Sequence, residues 1–194
     1  MQKLPLFVIS FSLLTVSAVT WADDDVSGTP AYVGVGLGHA SVDRGSVALS
    51  GADSGGINGT STSRSLFGGY YFTDNFGAEL GYHDYGSPTA FTQAGFVVLE
   101  CPASFSCPKI SGETAEVLGK MELVPQLDGI LRAGLLEWNV GSPGGTLLGK
   151  TSGSAFIYGV GVRYRLSYGL SFDATYERSS FTTEETRIGL SYSF

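Results

Sequence analysis

His39, Ser41 and Asp43 alternate along Gly38-His39-Ala40-Ser41-Val42-Asp43, and alternate residues of an extended chain share one face. A serine beside an imidazole, with a carboxylate to orient the ring, is the raw material of nucleophilic acyl chemistry. That chemistry needs the base within about 3 Å of the hydroxyl, and a serine opening a polar loop is poorly held at that distance. The tripeptide His39-Ala40-Ser41 also has little specificity, and His83 stands by itself on its segment. The chain is therefore expected not to be an enzyme. Cys101 and Cys107, in Cys-Pro-Ala-Ser-Phe-Ser-Cys-Pro, are too far apart for a redox CxxC and have no histidine nearby for zinc. In an oxidising compartment they are expected to close a small loop as a disulfide. Asp53-Ser54-Gly55-Gly56-Ile57-Asn58 lacks the ligand spacing of a calcium loop. No cofactor and no metal is expected.

The other chemistry-bearing residues are scattered charges, whose meaning depends on the elements that hold them. The chain has 194 residues, 28 of them glycine, with 43% hydrophobic, 12% aromatic and only 15% charged residues and a net charge of −7. Such apolar content excludes disorder, and glycines without a three-residue period exclude collagen. An acidic chain without a basic stripe excludes nucleic acid as a partner. Residues 1–22 read as a cleaved signal peptide: Lys3, an apolar run from Leu4 to Val19, and Thr20-Trp21-Ala22 before Asp23-Asp24-Asp25. Residues 23–194 form one domain, with ten basic against eighteen acidic residues. Beyond residue 22 no apolar stretch is long enough for a spanning helix.

The repeated signal past residue 30 has a period of two. Eight segments stand out: Ala31–Ala40, Arg64–Phe72, Phe76–Tyr85, Glu113–Val124, Gly129–Val140, Gly153–Arg165, Leu170–Arg178 and Glu184–Phe194. Their links alternate in length. Thr73-Asp74-Asn75, Pro125-Gln126-Leu127-Asp128 and Leu166-Ser167-Tyr168-Gly169 are short, whereas 41–63 and 86–112 are long and polar, as to a lesser degree are 141–152 and 179–183. The fold class expected is all-β: an eight-stranded antiparallel up-and-down transmembrane barrel in the outer membrane, with short periplasmic turns and long extracellular loops.

Parity assigns the faces. Phe156, Tyr158, Val160, Val162 and Tyr164 share one side, and Ile157, Gly159, Gly161 and Arg163 the other. Large apolar residues opposite glycine and charge describe lipid outside and a packed polar lumen inside. Parity then places Glu79, Glu116, Lys120, Glu122, Arg132, Arg163, Asp173, Glu177 and Arg187 on the inner wall as a near-neutral ion-pair network. Arg163 and Asp173 flank one turn, and Lys120, Glu122 and Arg132 another. Glu137 falls on the lipid face, at the outer rim or at a bulge. An eight-stranded barrel encloses little more than its own side chains, so the network reads as a plug; a narrow gated ion path is the alternative.

The motifs resemble the small OmpA-like outer-membrane barrels, the group that includes the OmpA membrane domain and OmpX/Ail-type proteins. The resemblance covers Ala31 to Phe194 and is carried by Ala31-Tyr32-Val33-Gly34, by Gly69-Tyr70-Tyr71-Phe72 with Asp74-Asn75-Phe76-Gly77-Ala78-Glu79-Leu80-Gly81-Tyr82, and by Leu190-Ser191-Tyr192-Ser193-Phe194. It implies inward charges at Glu79, Lys120 and Arg132, and a reversed charge order at Arg163 and Asp173. Leu190, Tyr192 and Phe194 are similar to the signal read by the barrel-assembly machinery, which the resemblance implies as a partner. With Phe194 last, a peptidoglycan-binding domain and wall tethering are not expected.

The expected role is that of a monomeric barrel in outer-membrane lipid and lipopolysaccharide, structural and surface-interacting, with loops 41–63 and 86–112 as its exposed face. Adhesion to a host or phage ligand through those loops is one alternative. A narrow porin-like channel is another, and a lipid-modifying enzyme a remote third.

Overall fold

The computed structural model describes residues 31–48, 54–87, 90–93, 96–98, 109–141, 152–180 and 183–194. The leader, Cys101 and Cys107 lie outside the described residues. Ten strands follow in chain order: β1 (Ala31–Ala48), β2 (Ser54–Tyr71), β3 (Phe76–Gly86), β4 (Ala90–Gln93), β5 (Phe96–Val98), β6 (Lys109–Val124), β7 (Leu127–Gly141), β8 (Ser152–Arg165), β9 (Leu170–Ser179) and β10 (Thr183–Ser193). Eight of them, β1, β2, β3 and β6 to β10, hydrogen-bond to their neighbours all the way round and close on the β1–β2 pair. Every neighbouring pair is antiparallel. Closure leaves no unpaired edge for lipid to meet.

The period of two becomes the wall. On β8, Phe156, Tyr158, Val160, Val162 and Tyr164 are exposed while Ala155, Ile157 and Arg163 are buried. On β10, Ile188, Leu190 and Tyr192 face out and Arg187 and Ser191 face in. Nine residues of β8 at roughly 3.4 Å each, tilted by ~40°, make an apolar belt roughly 23 Å tall. Aromatics crowd its lower margin, among them Phe72, Phe76, Tyr164, Phe172, Tyr192 and Phe194. At its upper margin the outward positions turn polar, at His39, Arg64, Asp84, Glu113, Glu137, Arg178 and Glu184.

The lower turns are tight. Val124 pairs with Leu127 across Pro125 and Gln126, so the link is two residues rather than the four expected. Gln126 has a φ of 72°, the left-handed conformation a type II turn needs after proline.

The upper side departs most from expectation. Residues 41–63 were expected to be mostly loop, yet β1 and β2 stay paired out to Ala48 and Ser54, with one register shift between Arg44 and Val47. β4 adds to Gly56–Asn58 of β2, and β5 adds to β4. Beyond the belt no apolar alternation is required, because main-chain hydrogen bonds alone carry a ladder onward. The Gly/Ser/Thr composition therefore hid a hairpin.

Candidate functional site

The lumen is layered. At its lower end Tyr32 of β1, Phe67 of β2, Leu118 of β6 and Ile130 of β7 pack together, with Tyr71 against them. At its upper end Ala40, Val42, Tyr85, Ile110, Leu136, Trp138, Val140, Ala155 and Ile157 form a second apolar layer. The charges are held between and below these layers, on strands whose inward glycines give them room.

Arg132 Nη1 donates to Glu79 Oε1 and lies 3.5 Å from Glu177 Oε1. Tyr32 Oη donates to the other oxygen of Glu79 at 2.5 Å. Arg187 Nη2 donates to Glu177 Oε1 at 2.9 Å, its Nη1 reaches Ser65 Oγ at 3.2 Å, and its guanidinium lies 4.9 Å from the Phe67 ring centre. All four charged partners are buried. One network therefore ties β3, β7, β9 and β10 across the interior. Arg163 and Asp173 face each other in the β8–β9 register and pair at 2.5 Å. Ser191 Oγ donates to the second Asp173 oxygen at 2.7 Å, and Arg163 lies 4.4 Å from the Tyr32 ring centre.

Above this, His83 Nδ1 lies 3.1 Å from Glu185 Oε2, Ser63 Oγ donates to Glu185 Oε1 at 2.5 Å, and Thr114 Oγ1 is 3.4 Å from His83 Nε2. Tyr85 stacks on the imidazole at 5.5 Å. Glu116 is buried beside these groups, and neither of its carboxylate oxygens has a hydrogen-bond partner among the described residues.

Seven of the nine expected inner-wall residues, Glu79, Glu116, Arg132, Arg163, Asp173, Glu177 and Arg187, are buried in the lumen. Lys120 is half-buried, its ammonium 4.6 Å from the Tyr71 ring centre, and it pairs with no carboxylate among the described residues. Glu122 corrects the inward reading: it is exposed at the lower rim and pairs with Arg165 at 3.0 Å. Parity fails there because Glu122 adjoins the turn, where the strand runs off the wall. Arg132 accordingly turns to Glu79 and Glu177 rather than to Glu122.

Sequence reasoning missed Glu185, His83 and Asp128. Glu185 lies two residues before Arg187 and shares its face, so parity carried one step further finds it. His83 is not a solitary histidine but part of the buried network. Asp128 is buried and ion-paired with Arg165 at 3.3 Å; placing it in the turn concealed it. Glu137 stands opposite Glu113 on the outer face, with no bulge at that position. Both line an open groove of about 400 Å³ with Tyr82, Asn139 and Ser154. Above the belt, the hydrogen bond from Lys109 to Asp84, at 2.8 Å, holds the ammonium pKa above its ordinary value. His39 is exposed on the outward face, two residues from the half-buried Ser41. At the chain end, Leu190, Tyr192 and Phe194 face outward, Tyr192 and Phe194 stack at 6.4 Å, and Phe194 N donates to Ala31 O at 3.0 Å.

A closed eight-stranded barrel, apolar outside and charged within, is an outer-membrane barrel. The chain belongs to the outer membrane protein beta-barrel domain family, whose model matches residues 8–194. It is similar in structure to Neisserial surface protein A, with a TM-score of 0.60 at 16% identity over 84% of this chain and 97% of that one. OprG from Pseudomonas aeruginosa gives 0.56 at 15% identity over 88% and 99%. The N-terminal barrel of OprF from the same organism gives 0.51 at 13% identity over 85% and 98%. These identities speak for the fold alone. No curated protein matches in sequence.

Proposed function

We propose that this protein is a closed, non-conducting and non-enzymatic barrel that presents an extracellular interaction surface. One observation carries the reading: the barrel is lopsided. Tight turns close its lower end, while at the upper end two strands of 18 residues each run on past the belt and are joined by β4 and β5. A rigid wall that invests its excess chain on one side is built to display it. The two apolar layers across the lumen support a plug over a channel.

In this reading the mature chain begins after Ala22, Cys101 and Cys107 staple the displayed segment, and the end bearing Leu190, Tyr192 and Phe194 engages the assembly machinery. The barrel sits in lipid and lipopolysaccharide as a monomer. Excising residues 44–57 is expected to leave a barrel that still shifts on a heat-modifiability gel, while abolishing binding of whole cells to host matrix or phage. Binding unchanged by the excision would sink the surface role. For the remote enzymatic alternative, loss of lipid A or phospholipid turnover in His39→Ala alone would overturn the non-enzymatic reading.

A further inference from the structure

His83, Glu177 and Glu185 come from three strands, β3, β9 and β10, yet each offers one ligand atom within 4.8 Å of the others. All three are buried. Each is also held by a neighbour through the atom it does not need. Thr114 Oγ1 faces His83 Nε2 at 3.4 Å, Ser63 Oγ holds Glu185 Oε1 at 2.5 Å, and Arg187 Nη2 holds Glu177 Oε1 at 2.9 Å. That leaves His83 Nδ1, Glu185 Oε2 and Glu177 Oε2. The first two are 3.1 Å apart, and Glu177 Oε2 has no hydrogen-bond partner among the described residues although its side chain is only 2% exposed. Ligands at about 2.0–2.2 Å from a tetrahedral ion are separated by roughly 3.3 Å, so the His83–Glu185 spacing suits one, and Glu177, within 4.8 Å of both, reaches it by a small side-chain movement. Outer partners that orient each ligand are the usual support of a metal centre.

Charge points the same way. Glu79, Glu116, Glu177 and Glu185 share one buried layer with Arg132 and Arg187, a surplus of two acidic over basic side chains. The Arg163–Asp173 pair closes on itself and contributes nothing to that surplus. Glu116, with both oxygens unpartnered among the described residues, adds a fourth carboxylate to the layer. Unpaired buried carboxylates are costly, and one dication removes the imbalance.

We propose that this layer binds one divalent first-row transition-metal ion through His83, Glu177 and Glu185. An imidazole among carboxylates suits zinc or iron better than calcium or magnesium. Binding replaces the contact between His83 Nδ1 and Glu185 Oε2, and with Nδ1 on the ion the ring proton sits on Nε2, which donates to Thr114 Oγ1. The ion joins β3 to β9 and β10 inside the wall, so it acts on barrel stability and not on a substrate.

The test uses the full chain extracted from membranes, unfolded in chelator, and refolded with Zn2+ or Co2+ before gel filtration. The expected result is one ion per heat-modifiable barrel, with the visible bands of low-coordinate Co2+. His83→Ala is expected to lose the ion, Thr114→Val to weaken binding roughly 10–100-fold as removal of an orienting partner does, and His39→Ala on the outer surface to bind as before. A folded wild-type barrel that retains no ion, or a His83→Ala barrel that retains as much as wild type, would overturn the proposal. If His83→Ala does not fold, the wild-type cobalt spectrum decides: bands indistinguishable from aqueous Co2+ overturn it equally.

Discussion

Arg132 shows how much one side chain can hold in this lumen. It is buried between Glu79 and Glu177, and its Nε and Nη2 have no partner among the described residues, so all its compensation comes through Nη1. Replacing it leaves the buried Glu79 without a cationic partner and Glu177 with Arg187 alone, a loss of about 3–5 kcal/mol by the general cost of breaking such a pair. Arg132→Met is therefore expected to unfold at much lower urea than wild type in lipid vesicles, followed by the emission of Trp138, the one tryptophan of residues 23–194. Adding Glu79→Gln should restore part of the loss, because the stranded charge is gone. If the double variant is as unstable as the sum of its parts, the pair is not the unit that matters. These residues were legible in the sequence because inward parity needs only a count of two from a known outward residue. What parity cannot supply is the partner: Arg132 reaches over β6 to β3, a jump that depends on barrel curvature and not on chain spacing.

At the scale of strands, glycine decides whether neighbouring walls can approach. A Cβ on Gly134 would lie 2.1 Å from Ala115 O and 2.7 Å from Glu116 Cα, contacts with backbone that no rotamer relieves. Gly134→Ala should therefore open the β6–β7 ladder, destabilising the barrel by roughly 1–3 kcal/mol, the range for overpacking. Gly119 is the control, since a Cβ there meets only Leu131 Cβ at 3.9 Å. On a heat-modifiability gel across a temperature series, Gly134→Ala is expected to lose its folded band earlier than wild type, and Gly119→Ala at the same temperature as wild type. Equal behaviour of the two would contradict the packing account. Strand identity was readable within the belt, where lipid enforces alternation, and unreadable above it. Ser54 to Ser63 pairs with β1 residue by residue through most of its length, but in Gly/Ser/Thr sequence no alternation marks it, and composition alone reads as loop.

For the molecule as a whole, the question is whether a polar lumen makes a pore. In the proposed reading, two apolar clusters interrupt any wet path between its charges. The upper cluster, with Leu136 and Ile157 buried, joins β1, β3, β6, β7 and β8, and the lower, with Phe67 and Leu118 buried, joins β1, β2, β6 and β7. An apolar constriction of that kind blocks ions by staying dry. Wild-type protein in planar bilayers is therefore expected to be silent, and exchanging the partners as Arg163→Asp with Asp173→Arg should leave it so. Leu136→Ser with Ile157→Ser wets one layer only, and current should still be absent. Adding Phe67→Ser and Leu118→Ser wets both, and cation-selective current should then appear in any variant that still folds, because six carboxylates and three guanidiniums are buried between the strands. Steady conductance in the wild type would mean that the layers part in the membrane and that the barrel is a channel after all. Current from the upper pair alone would place the barrier in a single layer, leaving Tyr32, Phe67, Leu118 and Ile130 as packing and not as a gate.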